Sequence, residues 1–261
     1  MKLRCVAPSV PTRRVWIGQA LQRGTAFSPA RSGTFALLLL ATLLFAAGPA
    51  HAVSGFEDPE ALNTNAASDS GDDSGPQVTT DGLGHWVAVW HSYDTLGGTI
   101  GADADILVSR SVDNGATWTP PAALNTNASS DSGDDFEPQV TTDRLGRWVA
   151  VWWTNDSLGG AIGTDKDILV SRSTNNGATW TAPSPLNTNA ALDSRGDYNP
   201  QVTTNGLGNW VAAWSSEDSL GGTIGLDFDI LVSRSTNNGV AWTAPAPLNT
   251  NAAPDSEFDA N

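Results

Sequence analysis

Cysteine is almost absent from this chain of 261 residues, and the single one, Cys5, lies in an N-terminal stretch that carries no acidic residue. No disulfide, thiolate nucleophile or cysteine-ligated metal is therefore available to the remainder. Tyrosine is nearly as scarce, with Tyr93 and Tyr198 the only two. Basic residues are outnumbered, 13 against 28 acids, which argues against a nucleic-acid binder, because such a protein neutralises phosphates with lysine and arginine. Six of the bases (Lys2, Arg4, Arg13, Arg14, Arg23 and Arg31) precede residue 53 and no acid does, so residues 53–261 hold seven bases against 28 acids, a formal −21. Long hydrophobic runs are missing too, except over residues 35–47, FALLLLATLLFAA. Thirteen residues are too few to cross ~30 Å of hydrocarbon, and they stand between a basic stretch and the small-residue pattern Ala50-His51-Ala52. That order of parts predicts an export signal over residues 1–52, cleaved after Ala52, and a secreted, periplasmic or cell-surface protein with no membrane span once the signal is removed. A retained N-terminal anchor is the other reading.

What the chain has in quantity is tryptophan, 11 residues of it, and enough apolar material for a core. It also has repeats. LNTNA begins at Leu62, Leu124, Leu186 and Leu248, a fixed period of 62 residues. Residues 53–261 thus form one repeat domain with units 62–123, 124–185 and 186–247 and a partial fourth, 248–261. Asn261 is equivalent to Asn199, one residue before the proline that opens a first strand (Pro76, Pro138, Pro200), so the chain reads as a fragment of a longer repeat protein.

Within a unit the apolar period is two. In the first, Pro76-Gln77-Val78-Thr79-Thr80 leads through Asp81-Gly82-Leu83-Gly84 into His85-Trp86-Val87-Ala88-Val89-Trp90-His91, a β-branched and aromatic run that predicts a hairpin. Trp86, Ala88 and Trp90 point to one face and Val87 and Val89 to the other, so both faces need covering. A third strand is predicted over residues 105–111, and a tight turn at Asn114-Gly115 returns a fourth through Trp118. Four antiparallel strands per unit, sandwiched on both faces, predict all-β propeller blades.

Ser111 to Trp118 reads S-V-D-N-G-A-T-W and resembles the Asp box, or bacterial neuraminidase repeat, of the sialidase-like β-propellers. The second and third copies, S-T-N-N-G-A-T-W and S-T-N-N-G-V-A-W, replace the motif Asp by Asn175 and Asn237. The motif positions Ser111, Asp113, Gly115 and Trp118, Ser173, Asn175, Gly177 and Trp180, and Ser235, Asn237, Gly239 and Trp242 are then architectural. A short carboxylate or amide bonds back to its own turn, glycine supplies positive φ and tryptophan packs on the blade. The resemblance implies three blades, plus a partial fourth, of an incomplete six-bladed propeller. Three blades do not close a ring, so closure comes from sequence outside this chain or from self-association of two copies through their open blade faces.

The resemblance also implies what an active sialidase would contain: an Arg-Ile-Pro motif, a tyrosine nucleophile helped by a glutamate, and an aspartic acid/base. Arg-Ile-Pro does not occur, and the two tyrosines fall in different units. Arg110, Arg172 and Arg234 resemble a carboxylate-clamping triad, yet each occupies the same strand position of its own unit, which favours strand packing or an ion pair over carboxylate recognition. No catalytic residue is assigned. Positions that vary between units point instead to ligand contact: 91/153/215 read His, Trp, Ser; 93/155/217 read Tyr, Asn, Glu; 85/147/209 read His, Arg, Asn; and 104/166/228 read Ala, Lys, Phe. Trp153, Tyr93 and Glu217 are the ligand-binding candidates, with an ordinary inter-blade contact the alternative for Trp153.

Carboxylates cluster in the loops, at Asp69, Asp72 and Asp73, at Asp131, Asp134 and Asp135, and at Asp193 and Asp197. The pairs Asp103/Asp105, Asp165/Asp167 and Asp227/Asp229 precede each third strand. Oxygen-rich loops of this kind suit calcium, although acidic loops are also simply solvated. The expected function is a secreted, non-catalytic propeller that binds glycans or a cell-surface polysaccharide. The alternatives are a fragment of an exo-α-sialidase or related glycoside hydrolase and a structural or adhesive repeat protein.

Overall fold

The computed structural model describes residues 60–69 and 71–252. The export signal expected over residues 1–52, and residues 253–261 of the partial fourth unit, lie outside them. All regular structure among the described residues is strand, in three four-stranded antiparallel sheets whose strands follow one another in sequence order. The first blade holds β1 (Asp73–Thr80), β2 (Trp86–Ser92), β3 (Asp105–Ser111) and β4 (Ala122–Ala123). The second holds β5 (Asp135–Thr142), β6 (Trp148–Thr154), β7 (Asp167–Ser173) and β8 (Ser184–Pro185). The third holds β9 (Asp197–Thr204), β10 (Trp210–Ser216), β11 (Asp229–Ser235) and β12 (Ala246–Pro247). No fourth blade is present among the described residues.

The fourth strands depart from the sequence expectation. Pairing does not run through Trp118 but resumes at Leu107↔Ala123 and Val108↔Ala122. Two causes act together: residues 111–117 are taken up by the hydrogen bonds of the turn, and Pro120 and Pro121 have no amide to give to a ladder.

Alternation along β2, β6 and β10 determines how the blades stack. Val87, Val89, Ile106 and Val108 of the first blade share one buried cluster with Trp148, Ala150, Trp152 and Leu169 of the second. Val149, Val151, Ile168 and Val170 of the second do the same with Trp210, Ala212, Trp214 and Leu231 of the third. The valine face of each blade thus meets the tryptophan face of the next. Val87 and Val149 are 0% and 1% exposed, whereas Val211, at the same position of the third blade, is 38% exposed. On the tryptophan face of the first blade, Ala88, Trp90 and Leu107 are covered by the chain's own Leu62, Leu96, Ile100 and Trp118. Burying one such aliphatic side chain contributes about 1.5–3 kcal/mol, so these two interfaces dominate the cohesion of the stack.

The blades also fan. β5 touches β1, β2 and β3, and β9 touches β5, β6 and β7, while β4, β8 and β12 touch only their own sheets. First strands therefore converge and fourth strands diverge, as wedges do around an axis. The two ends of each wedge differ. At the turn end the β1–β2 turn meets the β3–β4 turn through Asn114 N–H to Gly84 O at 3.1 Å. At the loop end the β2–β3 loop meets the segment joining two blades through Gly101 N–H to Ala128 O at 2.8 Å. The second blade repeats both bonds, from Asn176 to Gly146 at 3.1 Å and from Gly163 to Ala190 at 3.0 Å.

Gly177 has two reasons to be glycine. Its φ is +74°, and a Cβ there would sit 2.6 Å from Val87 Cγ2 of the preceding blade. Gly115, with φ +84°, meets nothing closer than Trp118 at 4.0 Å. Gly115→Ala is expected to cost about 1 kcal/mol for backbone strain alone, and Gly177→Ala about 2–4 kcal/mol because the valine must also be displaced. Urea denaturation of the two variants checks this, and equal losses would contradict the stacking geometry.

Candidate functional site

The Asp-box residues lie at the turn end. Ser111 Oγ donates to Asp113 Oδ1 at 2.7 Å and accepts from Gly115 N–H at 2.9 Å. Asp113 in turn accepts from Thr117 Oγ1 at 2.6 Å and Thr117 N–H at 2.9 Å. Bonds from Thr117 and then Ser111 hold the Asp113 carboxyl down at about 2. Asparagine fills the same place with one bond reversed: Asn175 Oδ1 accepts from Ser173 Oγ at 2.9 Å and Thr179 N–H at 3.0 Å, while Asn175 Nδ2 donates to Thr179 Oγ1 at 2.9 Å. Asn237 keeps the bonds to Ser235 at 2.8 Å and Ala241 N–H at 2.9 Å. Gly239 packs on Val149 and the stem of Arg172. Trp118, Trp180 and Trp242 are half-buried against the cores beside them.

Arg110, Arg172 and Arg234 sit near this same end, opposite Val87, Val149 and Val211 in the strand register. Each belongs to the third strand of its own blade rather than to the converging first strands, so they do not surround one point. Positions 85 and 147 are also at the turn end, where His85 Nδ1 lies 2.6 Å from Asp81 Oδ2 and Arg147 Nη1 lies 3.0 Å from Asp143 Oδ2.

The ligand candidates come together at the loop end. His91, Phe136, Trp153, Tyr198 and Phe228 form a row of rings across all three blades, with successive centroids 4.9, 4.8, 6.1 and 5.6 Å apart. Tyr93 flanks Phe136 at 6.3 Å. Phe136 and Tyr198 are the second residues of the inner strands β5 and β9, and Phe136 is the cross-strand partner of Trp153, as Tyr198 is of Ser215. Lys166 Nζ stands 4.5 Å from the Trp153 ring centre and 4.6 Å from that of Tyr198, a cation shared by two π faces. Trp153 Nε1 donates to Glu137 Oε2 at 2.9 Å. Glu137 holds φ +54° at the bulge after Phe136, where the other blades have Gly75 and Asn199. Burial pushes the His91 imidazole below its ordinary 6.5, so the ring is neutral at pH 7. Burial, then the charges of Glu217 and Asp197, raise the Tyr198 phenol. Sequence reasoning named Trp153, Tyr93 and Glu217 but missed Phe136 and Tyr198. Position 74/136/198, reading Ser, Phe, Tyr, varies between units as the chosen positions do, and its cross-strand pairing to 91/153/215 is the signal that would have found them.

Behind the row, acids gather at each joint between blades. Asn125, from the LNTNA repeat, is buried and donates from Nδ2 to Asp105 Oδ1 at 2.7 Å and Asp135 Oδ2 at 2.8 Å. Its Oδ1 accepts from Ile106 N–H at 3.1 Å. Asn187 repeats this toward Asp167 at 2.8 Å and Ile168 at 3.0 Å, and Asn249 toward Asp229 at 2.7 Å and Ile230 at 3.2 Å. The residue between the two acids of each pair carries the backbone bond to the next blade, Ala104 O accepting from Asp135 N–H at 2.7 Å and Lys166 O from Asp197 N–H at 2.8 Å. One oxygen from each of Asp103, Asp105 and Asp131 lies within 4.8 Å of the other two, and Asp165, Asp167 and Asp193 match them. Asp227 and Asp229 occupy the same place in the third blade, and Asp255, equivalent to Asp193, lies outside the described residues.

Crowding of like charges away from water shows in the acidities. Burial, aided by the neighbouring acids and opposed by Asn125, raises Asp105 to about 7, and Asp167 follows for the same reasons. Burial and the charge of Asp103 or Asp165 raise Asp131 and Asp193 to about 6. Burial raises Asp135 and Asp197 well above the ordinary range. Between about pH 4 and 7 the folded chain therefore holds protons that the unfolded chain has lost, and stability falls as pH rises through that window. Asp113 has the opposite sign but acts only below pH 4. In EDTA, the urea midpoint is expected to be higher at pH 5 than at pH 8, and an equal or lower midpoint at pH 5 would contradict the buried-acid joints.

No family model matches the chain, and no curated protein matches it. Solved structures do. It is similar to a Hadza microbial sialidase at 17% identity and a TM-score of 0.48, covering 68% of this chain and 38% of the sialidase. It is similar to the α-L-arabinanase of Penicillium chrysogenum, determined with arabinobiose, at 15% identity and a TM-score of 0.45, covering 68% of this chain and 51% of the arabinanase. It is also similar to an endo-arabinase of Bacteroides thetaiotaomicron at 18% identity and a TM-score of 0.41, covering 67% and 61% of the two chains.

Proposed function

We propose that this chain is a secreted, non-catalytic propeller segment that binds a neutral glycan along the aromatic row of its loop end. The observation that carries this reading is the continuity of the row: five rings, drawn from three blades, at positions where the repeat is otherwise free to vary. Rings of this kind offer apolar faces to the C–H faces of sugars, while Glu137, Lys166 and Glu217 at their margins offer polar partners to hydroxyls. The formal −21 of residues 53–261 repels polyanions, and Lys166 is the one lysine of the described residues, which favours an uncharged polymer. Among the described residues no helix is long and apolar enough to cross a membrane.

The second reading, a fragment of an exo-α-sialidase-type hydrolase, has one observation in its favour, a tyrosine near a glutamate at the start of an inner strand. Burial, then the charges of Glu217 and Asp197, keep the Tyr198 phenol protonated, so it would act as a nucleophile only with a base to take its proton. Fluorophore release from an α-sialoside that disappears in Tyr198→Phe would establish the enzymatic reading.

For the binding reading, a glycan array followed by titration calorimetry is the test. Trp153→Ala is expected to weaken the best neutral glycan by about tenfold or more, since about 1.4 kcal/mol is what loss of one stacked ring removes. Trp153→Phe is expected to retain most of the affinity. An array without hits, or a Trp153→Ala variant that binds like the parent while folded, would favour the structural or adhesive role.

A further inference from the structure

Acidic loops are common without any ligand, so the clustering of Asp103, Asp105 and Asp131 is not sufficient by itself. A second feature distinguishes this cluster. Asp105 is 0% exposed; its Oδ1 accepts from Asn125, and its Oδ2, also buried, has no donor. Asp167 is 0% exposed and in the same state, with Oδ1 on Asn187 and Oδ2 without a donor. Other buried acceptors of the same residues and of the adjoining amides also lack a donor: Asp103 Oδ2, Asp131 Oδ1 and Asn127 Oδ1 at the first joint, and Asp165 Oδ2, Asp193 Oδ1 and Asn189 Oδ1 at the second. The nearby amide donors are already spent. Asn125 Nδ2 serves Asp105 and Asp135, and Asn127 Nδ2 serves Asp131 and Asp156. Buried acceptors are normally satisfied, and a set consisting only of acceptors is satisfied by a cation.

We infer that each of these two blade joints is a calcium site, held by Asp103, Asp105 and Asp131 at the first and by Asp165, Asp167 and Asp193 at the second. Every candidate ligand atom is a carboxylate or amide oxygen, which selects a hard cation over zinc or copper, whose protein sites draw on histidine and cysteine. Ligands about 2.4 Å from a shared calcium ion lie at most about 4.8 Å apart, and the three carboxylates of each joint meet that limit. Several carboxylates on irregular loops suit the flexible coordination of calcium better than the strict octahedron of magnesium. An open groove lined by Asn127, Asp131 and Asp156 gives solvent access at the first joint. Asp103 and Asp165 lie in the loop before the third strand, Asp105 and Asp167 open that strand, and Asp131 and Asp193 lie in the segment leading to the next blade, so the ion ties one blade to its successor. This inference does not depend on glycan binding.

The test uses the exported full-length chain, stripped with EDTA and exchanged into metal-free buffer. Calorimetric titration with calcium chloride is expected to show two or more ions per chain with a Kd of about 1 mM or tighter, and calcium is expected to raise the melting temperature where equal magnesium does not. Asp105→Asn is expected to lower the stoichiometry by one, and Asp105→Asn with Asp167→Asn by two. The double variant in EDTA is expected to melt no lower than the parent in EDTA, because like charges have been removed. Absence of calcium heats together with the same melting temperature in EDTA and in calcium overturns the inference on the parent protein alone, whether or not the variants fold. Variants that bind with the parental stoichiometry overturn it equally.

Discussion

Everything in this structure rests on a blade having two unlike apolar faces, one of tryptophan and alanine, the other of β-branched side chains. Broad rings with small residues between them accept the knobs of valine and isoleucine, and the reverse pairing of like faces would leave gaps beside the alanines. Trp152 and Trp214 are fully buried only because Val87 and Val149 belong to neighbouring sheets. Handing the same two faces on from blade to blade also fixes direction, so the stack has a polarity and its two ends are not equivalent.

That polarity explains why the acids sit where they do. Once valine meets tryptophan, the segment leaving one blade must cross the top of the interface to begin the next, and its backbone groups need partners away from water. Asn125 and Asn187 meet part of that need with a carboxamide that accepts from one strand and donates to carboxylates. The solution is electrostatically costly, since it brings carboxylates together behind an apolar wall. Burial, and then the neighbouring acids, weaken Asp105 and Asp167 as acids, which is the same cost seen in their protonation.

Much of this was legible in the sequence, for specific reasons. The alternation of Trp86, Ala88 and Trp90 with Val87 and Val89 gave the two faces, because a strand has a strict period of two. The 62-residue spacing of LNTNA gave the blade count. The fourth strands were misplaced because strand propensity at Trp118 says nothing about the prolines that follow or the turn that consumes the preceding amides. The aromatic row was half visible. Comparing units picked out Trp153, Tyr93 and Glu217, but Phe136 and Tyr198 become their neighbours only through a bulged cross-strand register that no local pattern encodes. The role of Asn125 was hidden for the opposite reason: a residue repeated in every unit reads as background until its partners, 10 and 20 positions away, are seen around it.

The row straddles the boundaries between sheets, with His91, Trp153 and Tyr198 each contributed by a different one. No isolated blade displays it. A molecule lying along it would contact only the assembled stack, so its free energy of association would add directly to the cohesion between blades and grow with its concentration. Cooperativity of unfolding and occupancy of the row are in that sense one thermodynamic quantity seen from two sides.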